Sequence, residues 1–352
     1  MITDQEGLAH WKKRAARQPE GRVVLDLEAD SLHRYSEKLC LIQYADAEGV
    51  TIIDPLAIEN MRLFSDWLSE TDVWMHGADY DMSLFQNAYG TLPHMIWDTQ
   101  IAARFLGFTH FGLAALVEHF FGVVMSKTNQ KADWGKRPIS ESMQEYAQGD
   151  VKFMLQMADI LVEKLKELGR YDWFVETCAH SLEKGRERHQ HTHHDAWRIK
   201  GSGKFNRRGL AALKALWTWR DKEAADWDRP CFMVCSNDDL LRWSLALQEF
   251  RSANPRRNFH SHRAARFNRV IERFHGMDEE DYPKRAPRVK RAVDEQFDER
   301  YDKWAAKRNA VAQELGIEAS FLASRIVLES IAADEEQGLA QLMNWQRELL
   351  TK

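Results

Sequence analysis

Two carboxylate residues, Asp26 and Glu28, lie on the same side of a segment whose pattern predicts a β-strand. Valine and leucine occupy positions 23, 25 and 27, and the two acids occupy the alternate positions, which is the period of two that a strand shows. Neighbouring carboxylates repel each other unless positive charge lies between them, and a divalent metal ion supplies that charge. For two acids alone, a strand face that simply meets solvent is the simpler interpretation. A metal site therefore needs partners from elsewhere in the chain.

Three further residues provide such partners: Asp81, Tyr146 and Asp150. Asp81 falls in the first turn of a predicted helix, where an acid can also serve only to favour the helix dipole. Tyr146 and Asp150 are four residues apart on another predicted helix and so share one face of it, although an exposed acid and a half-buried ring would give the same spacing. Taken together, four carboxylates and a hydrogen-bonding group are what two-metal hydrolysis of a phosphodiester requires.

Length and composition describe a globular protein with more than one domain. The chain has 352 residues, which suits two or three domains, and its 44% hydrophobic and 29% charged residues suffice to bury a core. The net charge of -5 excludes a strongly basic protein, so any nucleic-acid surface must be a local patch.

Cysteine usage and the apolar segments favour a cytoplasmic protein. The four cysteines are scattered without zinc-ligand spacing, which predicts free thiols in a reducing compartment; they are Cys40, Cys178, Cys231 and Cys235. The chain opens with an acidic helix start rather than a signal peptide. Its longest apolar run is interrupted by Glu118 and His119 and is too short to cross a membrane.

The periodicity changes along the chain from strands to helices. Segment 22–28 alternates as a strand, segment 38–44 has the continuous apolar core of a buried strand, and 50–53 is a third strand. The loops between them are short, which predicts an antiparallel meander. A further strand at 73–76 and one that ends within 96–99 are interleaved with helices at about 58–68 and 79–89, and helical periodicity then continues to residue 169. The first half is therefore predicted to be an α/β domain with a mixed sheet flanked by helices.

The second half is predicted to be helical throughout, after a polar segment at 183–203. That segment contains His189, His191, His193 and His194, which could ligate a metal ion, but a solvated linker is the preferred interpretation because no acid or cysteine pattern fixes a geometry. The remainder divides near residue 287 into two small helical bundles.

The order and context of the five chemical residues resemble the DEDDy class of 3′-5′ exonucleases, and most of all the ribonuclease D family. Four stretches outside the catalytic set also agree with that family: Leu39–Gln43, Ile53–Leu56, Trp97–Ala102 and Trp134–Pro138. In the helical half, Leu216–Arg220 followed by Asp228–Pro230 resembles the helicase-and-RNase-D C-terminal (HRDC) module. A second, diverged copy is predicted to start near Val289, with 308–312 in place of the Trp-Arg helix.

This resemblance implies a domain plan. Residues 1–182 would be an RNase H-like (DnaQ-like) exonuclease domain, 183–203 a linker, 204–286 a first HRDC domain and 287–352 an HRDC-like second domain. The protein would act on RNA, such as tRNA precursors or other structured RNA 3′ ends, or on single-stranded DNA. It would act as a monomer and would not associate with a membrane.

The resemblance also implies a role for each catalytic residue. Asp26, Glu28, Asp81 and Asp150 would bind two divalent ions, Mg²⁺ or Mn²⁺, with Asp26 bridging both. Tyr146 would orient the water that attacks the 3′-terminal phosphodiester, releasing nucleoside 5′-monophosphates.

The segment from His76 to Asp81 departs from the family pattern because it contains two acids. The spacing from His76 favours Asp81 as the ligand and leaves Asp79 as a helix cap.

Substrate contacts are predicted in the loop before the Tyr146 helix. They are Lys127, Gln130, Trp134 and Arg137, with His76 as a further contact. Lys127 and Arg137 would meet phosphates. Trp134 would either stack on a base or pack under the loop, and packing is the favoured interpretation.

Arginines concentrate between residues 251 and 273, either as a phosphate-binding surface or as a solvated helix pair balanced by nearby acids.

Two other functions share these residues. A DNA exonuclease would use the same acids, because discrimination depends on contacts to the 2′-hydroxyl. A nucleic-acid-binding scaffold with a decayed nuclease site would have lost a ligand, whereas all five residues are present here.

Overall fold

The computed structural model describes residues 1–190, 195–285 and 294–352, and the side chains of all of these except 188–190. The histidines at positions 191, 193 and 194 therefore lie outside the described residues, as do the predicted split near 287 and the predicted start of the second HRDC-like copy at Val289.

A five-stranded mixed sheet organises the first half of the chain. Its strands are β1 (Val24–Ala29), β2 (Leu39–Asp46), β3 (Gly49–Ile53), β4 (Asp72–Met75) and β5 (Met95–Asp98). The strand order is β3-β2-β1-β4-β5, with β1 antiparallel to β2 and parallel to β4. The predicted meander and the predicted mixed sheet are both confirmed. The central position of β1 places Asp26 and Glu28 in the middle of the sheet.

Helices flank this sheet and then follow it along the chain. In the first half they are α1 (Gln5–Ala15), α2 (Arg62–Ser69), α3 (Asp79–Tyr89), α4 (Thr99–Phe105), α5 (Leu113–Phe121), α6 (Glu141–Lys152), α7 (Met154–Glu167) and α8 (Tyr171–Gln190). The first residues of the predicted 183–203 linker are therefore helical, since α8 continues to Gln190.

The second half contains helices as its regular elements, as predicted, throughout the residues that are described there. They are α9 (Arg207–Trp227), α10 (Cys231–Val234), α11 (Asn237–Gln248), α12 (Ser261–His275), α13 (Phe297–Leu315), α14 (Ala319–Leu322), α15 (Arg325–Ala333), α16 (Glu335–Leu339) and α17 (Asn344–Thr351), with short 3₁₀ turns at Ser202–Lys204 and Glu279–Asp281. No helix among the described residues is both long enough and apolar enough to cross a lipid bilayer.

Two compact units emerge from the pattern of contacts. Among the described residues, unit 1 comprises 1–29, 39–190 and 294–352, and unit 2 comprises 30–38 and 195–285. The four-segment division made from the sequence stays a prediction.

Both faces of the unit 1 sheet are covered. Leu25 and Leu27 belong to one buried cluster together with Phe64, whereas Val24 belongs to another cluster with Val151 and Met154. Burying a side chain of this size stabilises a fold by about 1.5–3 kcal/mol. Since Val24 shares its face with the two acids, that face is not an open, solvated surface, and the solvent-facing interpretation of the acidic pair is wrong.

The C-terminal segment 294–352 contributes to the core of unit 1. The Phe105 ring lies 4.7 Å from that of Phe321 and 5.0 Å from that of Trp345. A terminal guanidinium nitrogen of Arg170 donates a 2.8 Å hydrogen bond to the Leu315 carbonyl. The core of unit 1 therefore includes side chains from the first half of the chain and from its C-terminal segment.

Unit 2 is a helical bundle built on aromatic packing. Trp219 is 6% exposed and its ring lies 5.2 Å from that of Phe267, while Trp243 lies 4.8 Å from the same ring. The prediction that at least one of the tryptophans at 217 and 219 is a core residue is confirmed. All four cysteines of the protein are free.

Candidate active site

Strand β1 and helix α6 bring three carboxylates together. The side chains of Asp26, Glu28 and Asp150 each offer an oxygen, and these oxygens all lie within 4.8 Å of one another. The period of two in β1 directs its two acids to one face, and α6 packs against β1, β2 and β3. Residues 124 positions apart in the chain thus form one acidic cluster because the helix packs against the half of the sheet that contains β1, β2 and β3.

Helix α6 also presents the phenol. Ser140 caps its start by accepting a 3.2 Å hydrogen bond from the Met143 backbone N–H. Tyr146 and Asp150 then lie on one face, one helical turn apart, which brings the phenol next to the Asp150 carboxylate. Burial and the Asp150 charge raise the pKa of Tyr146, so the phenol stays protonated at neutral pH.

The fourth acid, Asp81, lies in the first turn of α3 and is 8% exposed. It is not among the three mutually closest acids, but its charge raises the pKa of both Asp26 and Glu28. The choice of Asp81 over Asp79 stays a prediction, supported by this coupling. The prediction that Asp79 caps the helix is wrong, because the capping position is Ala78 and no side chain of that residue can bond there.

Asp98 caps the start of α3 instead. Its carboxylate accepts hydrogen bonds from the backbone N–H groups of Gly77 at 2.9 Å and Ala78 at 3.0 Å, and from Gln100 at 2.8 Å. One carboxylate therefore fixes the turn that precedes Asp81 and also the start of α4.

The turn before α3 also needs a glycine and holds His76. Gly77 has φ +68°, and a Cβ there would come within 2.9 Å of the Gln100 side-chain nitrogen. The His76 Nδ1 lies 2.9 Å from the Thr99 hydroxyl, and burial lowers the pKa of His76, which keeps the ring neutral. The structure thus places His76 in the framework of the turn; its predicted contact with substrate stays a prediction.

The acidic cluster is strongly destabilised as a set of anions. Burial, followed by the charges of Asp81, Asp150 and Glu28, raises the pKa of Asp26 well above its ordinary value. Burial and the charges of Asp150 and Asp81 raise the pKa of Glu28 to about 9. Burial likewise raises the pKa of Asp81 to about 7 and that of Asp150 to about 6. Among the described residues, the charged groups that shift these pKa values are other carboxylates, so no cation of the protein compensates the cluster there.

This donor set fits divalent metal ions. Hard carboxylate oxygens grouped within a few ångströms are the ligands that Mg²⁺ and Mn²⁺ prefer, and a bound cation would reverse the repulsion that raises the pKa values.

The loop before α6 separates the predicted substrate contacts into two groups. Lys127 and Gln130 are exposed, as a contact with substrate requires. Trp134 is 1% exposed and packs with Cys40 and Leu41, so its ring has no free face for a base, and the structure supports the packing interpretation.

Arg137 is held entirely by the protein. Its five N–H donors are all engaged, twice with the Asp54 carboxylate and three times with backbone carbonyls. The prediction that Arg137 meets a phosphate therefore conflicts with its hydrogen bonds, because no donor remains for one.

Sequence reasoning missed three supporting residues. Asp98 fixes the α3 turn, Asp54 binds Arg137, and the Gln43 amide lies 3.5 Å from a Glu28 carboxylate oxygen. An acid directly between a strand and a helix is a capping signal that would have identified Asp98. Nothing local distinguishes Asp54 or Gln43, whose partners are distant in the chain.

The arginines of unit 2 are divided between ion pairs and a groove. Arg263 and Arg266 pair with the buried Glu223, and Arg256 pairs with Asp239. Arg269 and Arg273 line a groove of about 700 Å³ between α9 and α12; Lys214, Lys222 and Arg266 also line it. The ion pairs support the interpretation as a charge-balanced helix surface for part of this cluster, and the phosphate-binding interpretation stays a prediction.

Comparison with known proteins agrees with this site. Residues 1–166 match a family model described as a 3′-5′ exonuclease. The chain is 33% identical over 248 residues to ribonuclease D of Musicola paradisiaca, covering 68% of this chain and 64% of that relative. It is 29% identical over 344 residues to ribonuclease D of Haemophilus influenzae, covering 94% and 84%.

A solved structure has the same fold along the whole chain. The crystal structure of Escherichia coli RNase D, an exoribonuclease involved in structured RNA processing, superposes with a TM-score of 0.75 at 24% identity, covering 100% of this chain and 96% of that one. The alignment with the Musicola relative spans a little less than two thirds of that relative's length. Because its sequence relatives and its matched exonuclease domain agree, the chain belongs to the ribonuclease D family.

Proposed function

We propose that the protein is a metal-dependent 3′-5′ exoribonuclease that releases nucleoside 5′-monophosphates from RNA 3′ ends. The observation that carries this proposal is the grouping of Asp26, Glu28 and Asp150 within 4.8 Å, with the charge of Asp81 acting on Asp26 and Glu28 and with Tyr146 beside Asp150 on α6. The family to which the chain belongs gives the direction of cleavage and RNA as the substrate class.

The four carboxylates would hold two divalent ions, Mg²⁺ or Mn²⁺. Such ions supply a positive clamp on the phosphodiester and lower the pKa of the attacking water. Asp26 is the proposed bridging ligand, because it lies in the central strand and the charges of the other three acids all raise its pKa.

Tyr146 contributes orientation rather than proton abstraction. Its raised pKa keeps the phenol neutral at the pH of the reaction, so the hydroxyl works as a hydrogen-bonding group. Its position on α6, one turn before Asp150, would put the phenol beside the carboxylates, where it can align an attacking water.

RNA would approach this site past the loop before α6. Lys127 and Gln130 are the proposed contacts because both are exposed. We propose structured RNA 3′ ends, including tRNA precursors, as substrates, because the similar E. coli enzyme is involved in structured RNA processing. We further propose that residues 204–286 and 287–352 are HRDC-like modules.

The test compares wild type with Asp150→Asn on a 5′-labelled single-stranded RNA and a DNA of matched sequence, with Mg²⁺ or Mn²⁺. Wild type should shorten the RNA stepwise from its 3′ end, and Asp150→Asn should be slower by more than about 100-fold because a metal ligand loses its charge. Glu145→Gln, an exposed acid on the same helix, is the matched control and should keep the wild-type rate.

Two outcomes would contradict the proposal. Equal rates for wild type and Asp150→Asn would overturn the site. Faster shortening of the DNA than of the RNA would replace the exoribonuclease by a DNA exonuclease, whose selection against RNA would have to act at the 2′-hydroxyl.

A further inference from the structure

We propose that Arg137 is a positioning residue, which acts through Trp134 on the Tyr146 phenol and does not contact the substrate. This inference rests on the proposed function for the part played by Tyr146, and it reverses the phosphate-binding role that the sequence predicts for Arg137.

The first step is the complete use of the Arg137 guanidinium. Its Nε donates to one Asp54 carboxylate oxygen at 2.6 Å, and one terminal nitrogen donates to the other at 2.7 Å and to the Cys40 carbonyl at 2.8 Å. The second terminal nitrogen donates to the carbonyls of Trp134 at 2.7 Å and Lys136 at 2.8 Å. A guanidinium has five N–H donors, so this set leaves none for a phosphate.

The second step is the rigidity of the anchor. Asp54 is 1% exposed and directly follows β3. Its backbone N–H donates to the Ile2 carbonyl at 2.9 Å, and its carboxylate accepts a 3.0 Å bond from the Leu56 N–H. Asp54 therefore holds Arg137 to the sheet with a bidentate, charge-assisted pair.

The third step connects this pair to the phenol. The carbonyl that Arg137 binds belongs to Trp134, whose ring lies 6.0 Å from the Tyr146 ring at an interplanar angle of 42°. Trp134 and Tyr146 share a small hydrophobic cluster with Cys40, whose carbonyl Arg137 also binds. Arg137 thus holds the backbone of both Trp134 and Cys40, whose side chains belong to the cluster against which the Tyr146 ring packs.

Lysine cannot replace arginine in this position. Its ammonium is a single donor centre and cannot span a carboxylate and three separate carbonyls in one plane. Arg137→Lys keeps the charge but loses the geometry, which makes it the informative substitution. Val124→Ala is its control, because Val124 lies in the same loop, is 79% exposed and has no proposed role in binding or catalysis.

Steady-state kinetics on a short single-stranded RNA separates the two roles. We expect Arg137→Lys to lower kcat by about 10- to 100-fold with KM changed less than about twofold, since only alignment of the attacking water is lost. Asp54→Asn should give the same pattern more weakly. A raised KM at unchanged kcat in Arg137→Lys would identify a phosphate contact and overturn the proposal.

A double substitution tests the path through Tyr146. If Arg137 acts on the phenol, Arg137→Lys should add little to the loss already caused by Tyr146→Phe, so the two effects should be strongly non-additive. Fully additive losses would overturn the path.

A spectroscopic measurement tests the same link without activity, so that failure of the proposed function can be told apart from failure of this inference. In protein labelled with 3-fluorotyrosine, the Tyr146 ¹⁹F resonance is assigned by its disappearance in Tyr146→Phe. It should shift in Arg137→Lys and in Asp54→Asn, and stay in place in Val124→Ala. An unmoved resonance in the first two variants would overturn the inference, whatever the enzyme does to RNA.

Discussion

The sheet of unit 1 buries two kinds of carboxylate, and they differ in what surrounds them. Asp46 and Asp54 are 6% and 1% exposed, Asp81 and Asp150 are 8% and 9% exposed, and Asp26 and Glu28 are half-buried, so burial alone does not set the acidic cluster apart. Asp46 and Asp54 each bind an arginine, whereas the acids around Asp26 face one another.

The surroundings of Asp46 illustrate the first kind. Arg14 donates from its Nε at 2.9 Å, the Tyr44 hydroxyl donates at 2.8 Å and the Glu48 backbone N–H at 2.8 Å. Burial alone would raise the pKa of Asp46, but these hydrogen bonds outweigh it and hold that pKa below its ordinary value. The carboxylate is satisfied by the fold itself.

The acidic cluster is the opposite case, since burial and mutual repulsion raise its pKa values. The difference teaches that burial of an acid does not mark a functional site, whereas burial without a cation does. The acidic cluster lowers the stability of the metal-free fold, and its negative charge remains available to bind a cation.

The largest effect should be on catalysis. Asp26→Asn should reduce RNA cleavage more than about 100-fold because it removes a proposed bridging ligand, and Asp46→Asn should leave the rate per folded molecule unchanged. Both rates are measured on the same labelled RNA, with the folded fraction checked by circular dichroism. A large loss of rate in folded Asp46→Asn would end the distinction between the two kinds of acid.

Metal should stabilise only one of the two regions. Adding Mn²⁺ to metal-free protein should raise its melting temperature, with about 2.7 kcal/mol of stabilisation when the free ion is at about 100 times its dissociation constant. Asp46→Asn should keep this shift and Asp26→Asn should lose most of it, as followed by differential scanning fluorimetry. No shift at millimolar metal would count against the site.

In the absence of metal, Asp46→Asn should lower the free energy of unfolding more than Asp26→Asn does. Asp46→Asn should lower the free energy of unfolding by about 2 kcal/mol, which is less than a fully buried pair would lose because Arg14 is partly exposed. Asp26→Asn should leave the stability unchanged or raise it, because it removes a repelled charge. Urea denaturation in EDTA measures both, and a strongly destabilised Asp26→Asn would show that the cluster is satisfied without metal.

The smallest effect should be the pH dependence of the metal-free protein. The pKa of Glu28 is raised from 4.5 to about 9, so between these values the folded state binds the proton more than the unfolded state does. The contribution of Glu28 to the stability of the folded protein should therefore be fully present below pH 4.5, and it should be lost as the pH rises towards 9. Melting temperatures in EDTA should fall over this range, and Glu28→Gln should flatten the fall.

Asp46 gives the opposite sign, because its pKa is lowered. Its contribution is present at neutral pH and is lost as the pH falls through the folded-state pKa. If Glu28→Gln left the fall in melting temperature with rising pH unchanged, Glu28 would not titrate as its surroundings require.

Local patterns predict much of this fold. Apolar alternation in β1 and short apolar runs in the other strands place β1 to β5 within two residues of their observed ends, and the predicted helix at 79–89 coincides with α3. The amphipathic pattern predicts that α2 begins at Ile58, but it begins at Arg62, because such a pattern does not show where a turn at 54–57 ends.

Long-range pairing is beyond the sequence. Nothing near Arg137 shows that its partner is Asp54, 83 residues away, and an arginine in a predicted loop looks the same whether it binds phosphate or protein. For the same reason the packing of Phe321 and Trp345 onto Phe105 could not be predicted, since an apolar helical stripe does not specify which surface covers it.

That packing has a consequence for truncation. The described part of unit 2 from residue 195 onwards lies in the chain between two segments of unit 1, so a premature stop after residue 285 would remove part of the core of unit 1 rather than a detachable tail. Phe105, which is fully buried, would lose its neighbours Phe321 and Trp345. Shortened forms of this protein should therefore be sought by deleting the middle of the chain and keeping its end.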